Sequence, residues 1–141
     1  MKIKQIIDDR DLAYFSPIMM ELRAHIGTHE EIIKRVRIQM NTGYCLLGYW
    51  ENDLPAAVAG YRVQENLTHG KYMYVDDFVV SSIVRNKGIG SKLLDHLFHL
   101  ASRENCNKLV LDSAMSNHLA QRFYYGKNMQ ATALNFSYDL N

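Results

Sequence analysis

The chain has 141 residues, 48% of them apolar, and sixteen Lys or Arg against fifteen Asp or Glu leave a formal net charge of +1. That length suits one domain over residues 1–141 with its own core, and two prolines with this apolar share argue against disorder. So balanced a charge gives no field for nucleic acid or an anionic membrane, and no apolar run is long enough to cross a bilayer.

In chain order, Ile3, Ile6 and Ile7 suit a short strand. The same stretch lacks the apolar block and cleavage site of a signal peptide. Residues 9–25 carry Leu12, Phe15, Met19 and Leu22 at helical spacing, with Pro17 expected near the helix start. Thr28 followed by Glu31 forms a capping box for a second helix bearing Ile32, Ile33, Val36 and Met40, which Gly43 can end. Residues 44–50 and 54–63 read as a hairpin around residues 51–53. A polar loop over 64–71 and a third strand over 72–80 follow. Leu93, Leu94, Leu97, Leu100 and Ala101 mark an amphipathic helix. Residues 108–112 form a short strand, and Asn117 can cap a helix carrying Leu119, Ala120, Phe123 and Tyr124. Asn128 can end that helix in the left-handed conformation. Residues 131–140 complete the pattern as a last strand. The result is a mixed α/β order, β-α-α-β-β-β-α-β-α-β.

Between the third strand and the third helix lies Arg85-Asn86-Lys87-Gly88-Ile89-Gly90. A strand, a glycine turn and a helix start put backbone N–H groups, a positive helix end and two basic side chains at one place, which suits a phosphorylated ligand. A Walker loop needs Gly-Lys-Ser/Thr, and here Gly90 is followed by Ser91-Lys92. A Rossmann fingerprint needs a third glycine, which is absent.

The remaining pattern, Arg/Gln-x-x-Gly-x-Gly/Ala, resembles the pyrophosphate loop of the GNAT N-acetyltransferase superfamily. Asp76-Asp77-Phe78-Val79-Val80 is similar to its fourth strand, and Asn117-x-x-Ala120-x-x-Phe123-Tyr124 to its fourth helix. The set Leu111-Asp112-Ser113, His118 and Arg122-Phe123-Tyr124 is similar to small bacterial, single-domain members. Two departures stand out: Asn128-Met129 replaces a Gly-Phe pair, and Ser82 replaces a proline before the loop.

The resemblance implies a mixed, mostly antiparallel sheet of six or seven strands flanked by about four helices. It implies an N-acetyltransferase using acetyl-coenzyme A. The amides of Arg85, Asn86, Lys87, Gly88, Ile89, Gly90 and Ser91 would wrap the pyrophosphate. The main chain of Phe78, Val79 and Val80 would hold the pantetheine arm, with the Phe78 N–H aimed at the thioester carbonyl. Asn117 and Tyr124 would lie near the coenzyme.

Tyr124 is the candidate acid for the departing thiolate, because its reference pKa of about 10 exceeds a thiol's value of about 8.5. Asp76 is the candidate base, acting through water. Strand alternation places it with Tyr74, Phe78 and Val80 and sends Asp77 to the other face, unless a bulge shifts the register. Asp77 is the reserve base. Equally, either aspartate can pair with an arginine such as Arg62 or Arg122. Of the aromatic residues, Tyr44 and Tyr49 read as sheet packing, and Tyr61, Tyr72 and Tyr74 as possible walls of an acceptor pocket. His96 and His99 have no partner spaced with them, so no metal is expected.

The expected acceptor is a small-molecule or peptide amine; the family resemblance points to a homodimer, and Cys45 and Cys106, far apart in apolar surroundings, read as two reduced cysteines of a cytosolic protein. The alternative is a silent acyl-coenzyme A-binding module that transfers nothing.

Overall fold

Asn52 and Asp53 both adopt positive φ, 51° and 64°, as a two-residue hairpin turn requires if it is to follow the strand twist. Around them β2 (Cys45–Glu51) and β3 (Leu54–Asn66) pair antiparallel. In this computed structural model the described residues are 1–84 and 87–141. Arg85 and Asn86, both expected in the phosphate loop, lie outside them.

β4 (Gly70–Val80) returns antiparallel along β3. The loop expected over residues 64–71 is therefore mostly strand. The Tyr72 hydroxyl donates to Gln64 Oε1 at 2.8 Å, the Asn66 side chain accepts from the His69 N–H at 2.7 Å, and Gly70 takes a φ of 67°. Polar side chains that bond across the ladder let both strands run on into polar sequence. β1 (Lys2–Gln5) pairs antiparallel with β2, and β5 (Lys108–Leu111) lies beyond β4, giving the order β1-β2-β3-β4-β5. The Asn107 N–H donates to the Lys71 carbonyl at 2.7 Å, so β5 enters beside the start of β4.

Among the described residues there are four α-helices. α1 (Asp9–Leu22) is capped by Asp8, and a single 3-10 turn, Ala24–Ile26, follows it. α2 (His29–Met40) starts on Thr28, whose hydroxyl accepts from the Glu31 N–H at 3.1 Å. α3 (Ile89–Arg103) follows the glycine turn. α4 (His118–Gly126) is capped by the Asn117 side chain, which accepts from the Ala120 N–H at 3.1 Å, and Asn128 beyond it has a φ of 64°. The asparagine thus takes the left-handed position expected of it. None of these helices is long and apolar enough to cross a membrane.

Pro17 lies in the interior of α1, not near its start. Its missing N–H deprives the Ala13 carbonyl of the usual helical donor. The buried Ser16 hydroxyl replaces it, donating to Ala13 O at 3.0 Å, while the same oxygen lies 3.0 Å from His29 Nδ1 on α2. A side chain supplies the bond that the proline removes.

Cross-strand partners share a face, so the register assigns the two cores. On one face Leu46, Val58 and Val79 meet Phe15, Ile18 and Met19 of α1 and Ile32 and Val36 of α2. Gly48 is required there, since a Cβ would come within 2.6 Å of the Phe15 ring. On the other face α3 packs on β3 and β4, with Leu93, Leu94 and Leu97 wholly buried. Each fully buried leucine contributes roughly 1.5–3 kcal/mol.

Residues 131–140 do not form the expected last strand, so the sheet has five strands and not six or seven. Leu134, Phe136, Tyr138 and Leu140 alternate as a strand would, yet remain 70–88% exposed. Alternation makes a segment fit for a sheet, but a strand exists only through ladder bonds to a neighbour. By internal contacts the chain forms two compact units, Met1–Val110 and Leu111–Asn141.

Candidate active site

The candidate site is organised by an irregularity in β4. Gly60 pairs with Asp77, while Tyr61 pairs with Val75, so Asp76 is an extra residue with no cross-strand partner. This β-bulge changes the alternation. Before it, Tyr74 opposes Arg62 on the α1/α2 face; after it, Asp77 opposes Gly60 on that same face, followed by Val79 in the α1/α2 core. Phe78 and Val80 oppose Ala59 and Ala57 and turn to the α3 face. The expected grouping of Asp76 with Phe78 and Val80 is therefore corrected. The bulge instead brings Asp76 and Asp77 together in one cavity of about 400 Å³, beside Tyr74.

Two cations hold this carboxylate pair. Arg23, the residue between α1 and the 3-10 turn, donates from Nε to Asp77 Oδ1 at 2.9 Å and from Nη2 to the Asp76 carbonyl at 2.9 Å. The second bond falls on the residue that the bulge leaves without a cross-strand partner. Arg62 on β3 lies 3.3 Å from Asp76 Oδ2 and is itself fixed by Gln39 Oε1 and the Thr42 carbonyl. That distance allows Coulomb attraction and a weak interaction with Arg62, but no donor is aligned with the buried Asp76 Oδ2 for a well-formed hydrogen bond. Burial pushes the Asp76 pKa above the usual carboxylate value, and the Arg62 charge only partly offsets this.

Tyr44, expected to be sheet packing, is part of the site. Its hydroxyl donates to Asp77 Oδ2 at 2.6 Å. Burial first, and then the Asp77 charge, push its pKa well above that of free tyrosine, so it stays a neutral donor. The ring crosses Gly60, where a Cβ would fall on the phenol oxygen and ring carbons. A glycine inside a strand marks such a close approach, and the sequence stretch Ala59-Gly60-Tyr61 carried that signal. Arg23 had no comparable signal, because its target is 54 residues away. Of the other tyrosines considered, Tyr74 lines the cavity, Tyr61 is buried on the opposite face and Tyr72 bonds to Gln64.

The second element of the site is the start of α3. Gly88 has a φ of 74° and caps the helix with no side-chain bond. The N–H groups of Ile89, Gly90 and Ser91 belong to the first turn of α3, and the start of a helix is a geometry that fits an anion. Lys87 and Gly88 are exposed and Ile89 is buried. The turn before them is tied down: the Ser81 N–H donates to Ala56 O at 2.8 Å, and the Ser82 N–H to Glu21 Oε1 at 2.9 Å. The proline that Ser82 replaces could not make this second bond.

In the unit Leu111–Asn141, Tyr124 is half-buried on α4, against Phe123 with ring centroids 5.5 Å apart. Burial raises its pKa, so it holds its proton at neutral pH. Among the described residues no three His, Cys, Asp or Glu side chains converge as metal ligands.

Gly60→Ala places a methyl group where the Tyr44 ring lies. It is expected to lower unfolding free energy by about 1–3 kcal/mol. Urea denaturation checks this, and most of the loss should vanish in a Tyr44→Ala background, where the obstruction is gone.

Residues 5–127 match the acetyltransferase (GNAT) family. The chain is 26% identical over 125 residues to the uncharacterised N-acetyltransferase YhdJ of Bacillus subtilis (strain 168), covering 89% of this chain and 88% of that one. An integron cassette protein of V. cholerae superposes with a TM-score of 0.82 at 25% identity, over 99% of this chain and 91% of that one. Glucosamine-6-phosphate N-acetyltransferase from Arabidopsis thaliana shares the fold, with a TM-score of 0.76 at 22% identity over 99% and 98% of the two chains. A helix starting on a left-handed glycine beyond a bulged, acid-bearing strand, within a sequence that matches this family over most of its length, makes the chain an N-acetyltransferase of the GNAT family.

Proposed function

We propose that the protein moves an acetyl group directly from acetyl-coenzyme A to a primary amine of a small molecule or peptide. The observation that carries this reading is the start of α3 on a left-handed Gly88 that provides no side-chain cap, next in sequence to a strand that presents two carboxylates in a cavity. When bound, the coenzyme supplies an activated acetyl thioester. The amides of Gly88, Ile89, Gly90 and Ser91 bind its pyrophosphate, with Lys87 and, in the same reading, Arg85 and Asn86 adding charge or further amides. The main chain of Phe78, Val79 and Val80 holds its arm, and the Phe78 N–H stabilises the oxyanion.

The chain's residues then manage two protons. A free amine is largely protonated near neutral pH and attacks only after losing a proton. Asp76, raised by burial, takes that proton through water, with Asp77 held by Arg23 and Tyr44 as its fixed neighbour. The amine nitrogen bonds to the acetyl carbon, the carbon–sulfur bond breaks, and Tyr124 gives its proton to the leaving sulfur. Asn117, as cap of α4, positions that tyrosine.

The whole chain acts as one transferase domain in this reading, in the cytoplasm and as a homodimer. Two free cysteines suit the first, and the exposed alternating residues Leu134, Phe136, Tyr138 and Leu140 suit a second copy as their cover. Sedimentation at the mass of one chain would remove the dimer.

Tyr124→Phe is expected to lower kcat about 10²–10⁴-fold while the acetyl-coenzyme A affinity stays within twofold. Wild-type turnover in this variant would remove Tyr124 from the mechanism. Rate against pH tests Asp76. The base works ionised, so kcat/KM should fall as pH drops through a value above the ordinary carboxylate range, and Asp76→Asn should remove that limb. Gly88→Val forces a β-branched side chain into a left-handed position. Thermal melts should show the folded variant without the shift, about 2.7 kcal/mol at 100 times Kd, that acetyl-coenzyme A gives the wild type.

A further inference from the structure

We propose that the acceptor is a small zwitterionic amine, one amino group with one carboxylate or phosphate, and that polyamines and aminoglycosides are poor substrates. This rests on the acetyltransferase reading above and specifies what the cavity takes. It follows from how the cavity distributes its charges.

Both cavity carboxylates are already matched. Asp77 pairs with Arg23 at 2.9 Å and Asp76 with Arg62 at 3.3 Å. The cavity therefore offers no surplus negative charge to a polycation, which would gain little at the aspartates and meet the arginines. What remains is local: the buried Asp76 Oδ2, with which no donor is aligned for a well-formed hydrogen bond. One donor, from the water that relays the proton of a single amino group, satisfies it.

The opposite sign is offered from α2. Arg35 lines the same cavity. Its Nε bonds to Glu31 Oε1 at 3.1 Å, one turn earlier, and its side chain is 57% exposed. Among the described residues no protein atom bonds to its terminal nitrogens. Arg23 differs, because its Nε and Nη2 are both engaged. A guanidinium edge left in this way takes a carboxylate or a phosphate through two parallel bonds. Met19, Ile26, Ile32 and Val36 give the lining an apolar stretch that suits a short hydrocarbon body, and His25 and Gln39 also line the cavity, with Gln39 Oε1 already bonded to Arg62. A volume of about 400 Å³ is that of a small-molecule site. A ligand with zero net charge, one donor group and one anion matches a wall whose charges are paired and whose unfilled positions are one carboxylate oxygen and the terminal nitrogens of Arg35.

The test measures thiol release from acetyl-coenzyme A with five amines: an amino acid, an aminoalkyl phosphate, the alkylamine of the same length, spermidine and neamine. We expect kcat/KM for the better zwitterion to exceed that of the alkylamine at least tenfold. Comparing the first two amines identifies the anion. Arg35→Ala should raise the KM of the zwitterion about tenfold at unchanged kcat, erasing its advantage over the alkylamine, and Arg35→Lys should restore part of it. Spermidine, neamine or the alkylamine turning over as well as the zwitterion overturns the proposal and leaves the transferase intact. So does Arg35→Ala if it lowers activity on every amine alike. Calorimetry with free coenzyme A separates the two readings. A zwitterion whose Kd weakens about tenfold in Arg35→Ala, without thiol release from any amine, sustains the proposed ligand and removes the transferase. No heat from either zwitterion removes the ligand.

Discussion

One extra residue in β4 governs the acceptor side of this protein. Without the bulge at Asp76, strand alternation would put the two neighbouring aspartates on opposite faces. The bulge puts both into one cavity, and it leaves Asp76 without a cross-strand partner. Arg23 makes that distortion tenable. A single guanidinium bonds the Asp76 carbonyl and the Asp77 carboxylate together, so the same side chain supports the backbone irregularity and balances the charge it exposes. Tyr44 reaches the second oxygen of Asp77, and does so only because Gly60 has no side chain to obstruct it.

The two aspartates consequently differ although they are adjacent. Asp77 is held at both oxygens by a cation and a neutral donor. Asp76 has an ion pair at 3.3 Å but an unfilled buried oxygen, and burial raises its pKa. A carboxylate whose solvation is incomplete binds a proton more readily, which suits a base. One environment fixes geometry and the other leaves proton affinity, and both arise from two consecutive residues.

The site's other half relies on glycine of a different kind. Gly60 is needed for space, whereas Gly88 is needed for its left-handed φ, with open space around it. Ser82 contributes there as well. The proline that it replaces would stiffen the turn, but the serine N–H ties the turn to Glu21 of α1. The departure from the family pattern exchanges a preset φ for a hydrogen bond.

What could be read from the chain was local. Caps at Thr28 and Asn117, the left-handed Asn128, the hairpin turn and the leucine stripe of α3 all depend on residues within a few positions of one another, so sequence determined them and, through the ordered motifs, the family. The tertiary structure decided the rest. Pro17 sits inside a helix because Ser16 replaces a bond, a detail visible only in three dimensions. The bulge depends on strand register, and Arg23 and Tyr44 reach Asp77 from far along the chain. Residues 131–140 have a strand's alternation but no ladder, since pairing needs a partner that no pattern within the segment can supply. Periodicity and capping are properties of neighbours in sequence, whereas register, close approach and charge compensation are properties of neighbours in space.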